Sequence, residues 1–311
     1  MYDTINFKIT QQDVGEVDFL AEIPCYLDDV GEHYYNDELF ISGSLNGLKV
    51  TVSSRQVKVK DGSLCKFALG SNLHTMGRQD TQRAVERLSD TLHIQMSKAT
   101  ITRLDLAQNI ILKHPPEVYL NHLGALRSAT RLQEPNGLYY NFNGGRLCFY
   151  DKTREQKTHR EQISNLYEGR NVLRYEKRYT KRLAAQLKVC EVRAAMLYDE
   201  AFYIERAKDW YESYKRIQKI NDITLNFEAM KTKQQLYKMA ILSLVERTGG
   251  QLEMIAQIKE AQKRGDLSKK QAYDLKLVIN EACKIKEGFT ANNEAIAELD
   301  KKMLEAVRYY R

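Results

Sequence analysis

Hydrophobic and polar residues alternate along the first part of the chain and then change period. Period two marks strands, because successive strand side chains point to opposite faces. Ile5-Asn6-Phe7-Lys8-Ile9 alternates, as do residues 39–43 and 48–53. Asn46-Gly47 and Asp61-Gly62 are hairpin signals, since both central residues of a tight type I′ turn need positive φ. Val57-Lys58-Val59-Lys60 and Leu64-Cys65-Lys66-Phe67-Ala68 read as the strands flanking the second turn. Lys49, Lys58, Lys60 and Lys66 then take outer positions, where they either follow a phosphate backbone or keep the sheet soluble.

Residues 70–77 read as a loop. Asp80 or Thr81 caps a helix whose face is Ala84, Val85, Leu88 and Leu92. A strand over 101–107 follows, then a helix from Pro115-Pro116 with Leu120, Leu123 and Leu126 inward. Glu134-Pro135-Asn136-Gly137 is a turn, and residues 138–142 and 146–152 form a hairpin around Gly144-Gly145. A short helix leads to a strand over 172–178. From about 181 the period is helical, with faces such as Trp210, Tyr214 and Ile217; Leu236, Met239, Ala240 and Leu244; and Ala272, Leu275, Val278 and Ile279. Gly249-Gly250, Gly265 and Gly288 break it. No repeat of fixed period is visible. The pattern predicts an α+β fold. A mostly antiparallel sheet with helices packed on one face fills residues 1–185, and an all-helical accessory region follows over 186–311.

Three strands share one split. Leu104 and Leu106 oppose Arg103 and Asp105; Leu147 and Phe149 oppose Arg146, Cys148, Tyr150 and Lys152; Leu173 and Tyr175 oppose Arg174, Glu176 and Arg178. In one sheet these would give one greasy face and one that gathers two carboxylates, a tyrosine, a lysine and several arginines. A solvated charged outer face has the same pattern.

The net charge of +7 favours a polyanionic partner, of which nucleic acid is the commonest. Five scattered cysteines argue for a reducing compartment and against a disulfide framework or CxxC zinc site. Neither a signal peptide nor a membrane-spanning run is evident, so a cytoplasmic protein is expected. The six histidines form no HxH or HExxH pattern, and there is no Walker loop, GxSxG or strand-borne GxGxxG.

The tyrosine and the carboxylates remain. A phenol with a pKa near 10 needs a cation to stabilise its anion and a polarised phosphate to attack. Lys152 could serve as that cation. Asp105 and Glu176 could hold Mg²⁺ or Mn²⁺, which prefer hard oxygen ligands. Arg103, Arg146, Arg174 and Arg178 could grip DNA phosphates through forked hydrogen bonds.

These strands also carry a resemblance. Thr100-Ile101-Thr102-Arg103-Leu104-Asp105, then Leu147-Cys148-Phe149-Tyr150-Asp151-Lys152, then Val172-Leu173-Arg174-Tyr175-Glu176-Lys177-Arg178 resemble the motifs of the rolling-circle replication initiators of filamentous phages and related plasmids, the gene II/X family. The resemblance covers roughly residues 40–190. It implies that Tyr150 is the nicking nucleophile, leaving a 5′-phosphotyrosine and a free 3′-OH, with later resealing of the strand. The loop over 71–77 looks like a diverged Asn-x-x-Gly segment, with His74 where an asparagine is expected. Single-stranded or melted origin DNA is the implied substrate, a host helicase or polymerase a possible partner, and an oligomer an open possibility. Tyr139, Tyr140 and Tyr179 are rival nucleophiles. The alternative is a non-catalytic origin-binding or regulatory protein using the same basic face.

Overall fold

A computed structural model describes residues 1–71, 76–158, 166–223, 226–228, 230–286 and 293–310. Ten strands form one antiparallel sheet: β1 (Tyr2–Thr10), β2 (Asp28–Tyr35), β3 (Glu38–Leu45), β4 (Leu48–Ser53), β5 (Gln56–Lys60), β6 (Thr100–Leu112), β7 (Thr130–Glu134), β8 (Gly137–Phe142), β9 (Gly145–Asp151) and β10 (Asn171–Tyr179). Their order is β2-β3-β4-β5-β1-β6-β10-β9-β8-β7. Helices α1 (Gln11–Val14) and α2 (Phe19–Glu22) follow β1, and α3 (Leu64–Leu69) and α4 (Arg78–Leu92) follow β5. Helix α5 (Pro116–Leu120) follows β6, α6 (Lys152–Thr158) follows β9, and α7 (Leu183–Leu187) and α8 (Glu200–Lys215) follow β10. The all-helical C-terminal region holds α9 (Lys233–Arg247), α10 (Gln251–Arg264), α11 (Lys269–Cys283) and α12 (Glu294–Tyr309).

The strand order contains a repeat of topology. Strand β1, a helical connection and the meander β2-β3-β4-β5 bring β5 back beside β1. Strand β6, α5 and the meander β7-β8-β9-β10 bring β10 back beside β6. The leading strands β1 and β6 pair antiparallel at the centre, with Asn6 opposite Arg103.

Helices cover one face. Phe149 of β9 stacks on Tyr175 of β10 with centroids 4.3 Å apart, and Tyr175 meets Trp210 of α8 at 4.7 Å. The Tyr175 hydroxyl donates to the Trp210 carbonyl at 3.0 Å. A fully buried large side chain contributes roughly 1.5–3 kcal/mol, so this stack is a main anchor of α8 on the sheet. Helix α12 adds buried Leu299, Met303 and Val307 to the same core. Val245, Ile258, Ala272 and Ile279 form a separate small core that joins α9, α10 and α11.

Some elements differ from the sequence expectation. Residues 64–68 are helical, in α3, because Ser63 caps that segment by accepting from Lys66 N and Gly70 ends it at φ 74°. Lys66 therefore leaves the outer face of the sheet. The helix after Pro115 stops at Leu120, although Leu120 and Leu123 are both buried. Strand β7, before the Pro135 turn, had no alternation to announce it. Helix α9 turns Met239, Leu242 and Val245 inward and leaves Leu236 and Leu244 exposed. Leu275 and Val278 of α11 are exposed too. Residues 72–75, with His74, and Gly288 lie outside the described residues.

Candidate functional site

Cross-strand partners in an antiparallel pair share a face, so the registers fix which side chains meet. Arg174 lies opposite Tyr150 on one side and Asn109 on the other; Arg178 lies opposite Arg146 and Asp105. The polar face of β6, β10 and β9 thus holds Asp105, Glu176, Tyr150 and four arginines. They form a connected network rather than a row of solvated charges.

The Tyr150 hydroxyl donates to Glu176 Oε1 at 2.7 Å. Arg174 Nε donates to the same oxygen at 2.6 Å, and Arg178 Nη2 lies 2.6 Å from Glu176 Oε2. Arg103 grips Asp105 in a two-pronged pair at 3.1 and 2.6 Å. Arg178 Nε stands 3.9 Å from Asp105 Oδ2, so one guanidinium lies between the two carboxylates. Arg174 also donates to Asn109 Oδ1 at 3.0 Å and Asp3 Oδ2 at 2.6 Å, and Ser63 Oγ donates to Asp3 Oδ1. Arg174 is a buried pin that ties β1, β6 and β10 together, whereas Arg103, Arg146 and Arg178 keep part of their surface in solvent.

Burial lifts the Asp105 carboxyl to about 6 against the pull of Arg103 and Arg178. Burial also works against the Glu176 charge, but Arg174 and Arg178 outweigh it and hold its carboxyl below the usual range. Burial, then the Glu176 carboxylate, pushes the Tyr150 phenol well above its ordinary value, against the opposing pull of Arg174. Burial raises the Cys148 thiol to about 12, so this residue is an inert neighbour.

Lys152 does not continue the strand face. Asp151 Oδ1 accepts from Arg154 N at 2.9 Å, which caps a helix at this point, and Lys152 opens α6. Its buried ammonium lies 2.6 Å from Glu155, and no hydrogen bond or ion pair links it to Tyr150 among the described residues. Arg174 is the cation beside the phenol. Among the rivals, Tyr140 is buried and donates to the Gly124 carbonyl, and Tyr179 is engaged with Asp209. Arg146 donates to Asn141 and stands over the Tyr139 ring at 5.3 Å.

Asp105 Oδ2 and Glu176 Oε2 face one position, held by the Arg178 guanidinium. Two hard oxygens are the donor type a divalent ion takes, but both carboxylates are already paired with guanidiniums, so an ion here would have to displace Arg178. Among the described residues no cluster of three Asp, Glu, His or Cys adds to them. Beside the cluster opens a cleft of about 400 Å³ lined by Arg103, Asn141, Arg146, Arg178, Thr180 and Lys181. Four of these six are cationic and none is acidic, which suits a phosphate.

The sequence reading missed Asp3, Ser63 and Asn109. Asn109 was within reach, since it continues the phase of Arg103 and Asp105 along β6. Asp3 reaches the site through the β1–β6 pairing and Ser63 through its bridge to Thr4 of β1, neither of which a local pattern encodes.

An antiparallel sheet with helices on one face, bearing a tyrosine–carboxylate–arginine network on the other, is the class these observations define. The chain belongs to the family described as the N-terminal part of the phage replication-associated protein, the gene II replication initiator of filamentous phages, whose model matches residues 1–213. Its role is accordingly in the initiation of DNA replication. The matched span contains every member of the network. No curated protein matches the chain. No helix among the described residues is long and apolar enough to cross a membrane.

Proposed function

We propose that the protein nicks origin DNA by transesterification through Tyr150. The observation that carries this reading is the 2.7 Å hydrogen bond from the Tyr150 hydroxyl to Glu176, set beside a cationic cleft. A scissile phosphate enters among Arg103, Arg146 and Arg178, which supply forked donors. Phosphate oxygens compete with Glu176 for the Arg178 guanidinium. As that cation turns to the phosphate, Glu176 regains basicity beside the phenol proton. The Tyr150 oxygen attacks phosphorus as its proton passes to Glu176, the P–O3′ bond breaks, and the leaving 3′ oxygen takes a proton from water. The products are a 5′-phosphotyrosine and a 3′-OH for a polymerase. The bond energy is retained, so attack by that 3′-OH reseals the strand and returns the proton to Tyr150.

Before DNA arrives, the half-buried phenol stays protonated, so the nucleophile is held off until a phosphate engages the arginines. Arg174 keeps Glu176 and β10 in place. Asp105 Oδ2 and Glu176 Oε2 are the oxygens that would hold Mg²⁺ or Mn²⁺, which when bound supplies charge neutralisation at the phosphate. The setting this implies is the cytoplasm of a bacterial host.

The test is incubation of end-labelled single-stranded origin DNA with the protein, with Mg²⁺ or Mn²⁺ or with EDTA, comparing wild type with Tyr150→Phe. A covalent protein–DNA adduct lost in the variant and in EDTA supports the mechanism and its metal. Tight, salt-sensitive binding with no adduct under any metal favours a non-catalytic origin-binding protein.

A further inference from the structure

The N-terminal half of the sheet presents the same face as Tyr150, through the Asn6–Arg103 pair. There Lys8 lies directly opposite Lys58, and Lys49 directly opposite Lys60. These four residues occupy the adjacent strands β4, β5 and β1. Lys49 is exposed and the other three are half-buried. Among the described residues Lys8, Lys49 and Lys58 have no carboxylate partner, and Lys60 reaches only Asp61, at 4.0 Å. Two directly opposed like-charge pairs destabilise a sheet. A soluble outer face needs no such opposition, since alternating signs would serve it better. An anion bridging the lysines would relieve it.

We infer that this lysine quartet is a second DNA-contact site, a platform that carries the phosphate backbone of the strand leading to Tyr150. The inference rests on the proposed function only in taking DNA as the ligand. From β4 to β9 the sheet spans five inter-strand gaps, roughly 24 Å at about 4.8 Å each. That equals about seven nucleotides at about 3.4 Å of rise per nucleotide. Arg103 lines the cleft and lies opposite Asn6 of β1, the strand that carries Lys8, so it links the cleft to the platform. The quartet also occupies, in the first topological repeat, the strands that correspond to β9, β10 and β6 of the second. One half of the repeat then carries the chemistry and the other the grip.

The test uses the full chain carrying Tyr150→Phe, which prevents cleavage, and a fluorescein-labelled single strand read by anisotropy across a potassium chloride series. Replacing Lys8, Lys49, Lys58 and Lys60 with glutamine should lower the slope of log affinity against log salt by about 3, at about 0.7 per phosphate contact. The matching quadruple arginine variant should keep the slope, which separates charge loss from misfolding. Four glutamines at Lys263, Lys269, Lys270 and Lys276, on α10 and α11, should leave it unchanged. A wild-type slope in the Lys8/Lys49/Lys58/Lys60 glutamine variant would overturn the inference. Restoring Tyr150 in that variant separates the two claims. Adduct formation with an unchanged slope defeats the platform alone, and a reduced slope with no adduct in any form of the protein defeats the nicking reaction alone.

Discussion

Tyr150 reaches Glu176 diagonally across the β9–β10 pair. Its direct partner is Arg174, and Glu176 lies opposite Cys148, yet the phenol hydroxyl meets Glu176 Oε1 at 2.7 Å. Arg174 Nε donates to the same oxygen, so phenol and guanidinium share one acceptor. That shared oxygen makes the cluster a unit.

Removing the acceptor should therefore cost more than removing the phenol. Glu176→Ala leaves buried Arg174 without a principal partner and should destabilise the fold by about 3–5 kcal/mol. Tyr150→Phe loses one hydrogen bond and should cost about 1 kcal/mol. Urea unfolding of the two variants checks the ordering; equal losses would mean the arginines are satisfied elsewhere.

Stability should depend on pH in opposite directions at the two carboxylates. Asp105 has a folded value raised to about 6, so its contribution is fullest below the ordinary value of about 3.9 and is lost as pH rises towards 6. Glu176 has a lowered folded value, so its contribution is present above about 4.3 and is lost as pH falls below it. The unfolding midpoint measured against pH should lose the first limb in Asp105→Asn and the second in Glu176→Gln. Unaltered profiles would contradict the burial and pairing described.

The α8 helix is expected to be inseparable from the sheet. A chain cut after residue 185 lacks Trp210, which packs on Tyr175, and the Asp209 carboxylate that pairs with buried Lys177 at 2.6 Å. It should lose cooperative thermal unfolding. Trp210→Ala in the full chain should cost about 3–5 kcal/mol. Calorimetry of both proteins decides this.

Ser63 links a helix cap to the site, since it caps α3 and donates to Asp3, which holds Arg174. Ser63→Ala should cost about 1 kcal/mol from the cap and slow adduct formation without weakening DNA binding. Single-turnover kinetics beside anisotropy separates the two effects.

Alternation alone made the site's face legible. Arg103 with Asp105, Arg146 with Tyr150, and Arg174 with Glu176 and Arg178 had to share sides once their strands formed. Termination was harder to read. Lys152 has the strand phase of Tyr150, but the Asp151 side chain caps a helix one residue earlier and redirects it. Ser63 did the same to residues 64–68. The topological repeat was invisible because it consists in β5 returning to β1 and β10 to β6, pairings set by the whole sheet. Asp3 entered the site through the β1–β6 pairing, which is equally non-local.

The most direct measurement is the position of the DNA on the protein. Trypsin cleavage after Arg146 and Lys152 releases residues 147–152, which hold one tyrosine. After reaction with origin DNA and nuclease trimming, mass spectrometry should find the phosphonucleotide mass on this peptide, fragmenting to Tyr150. The same mass on the peptide bearing Tyr139 and Tyr140, or on the one bearing Tyr179, would contradict the account.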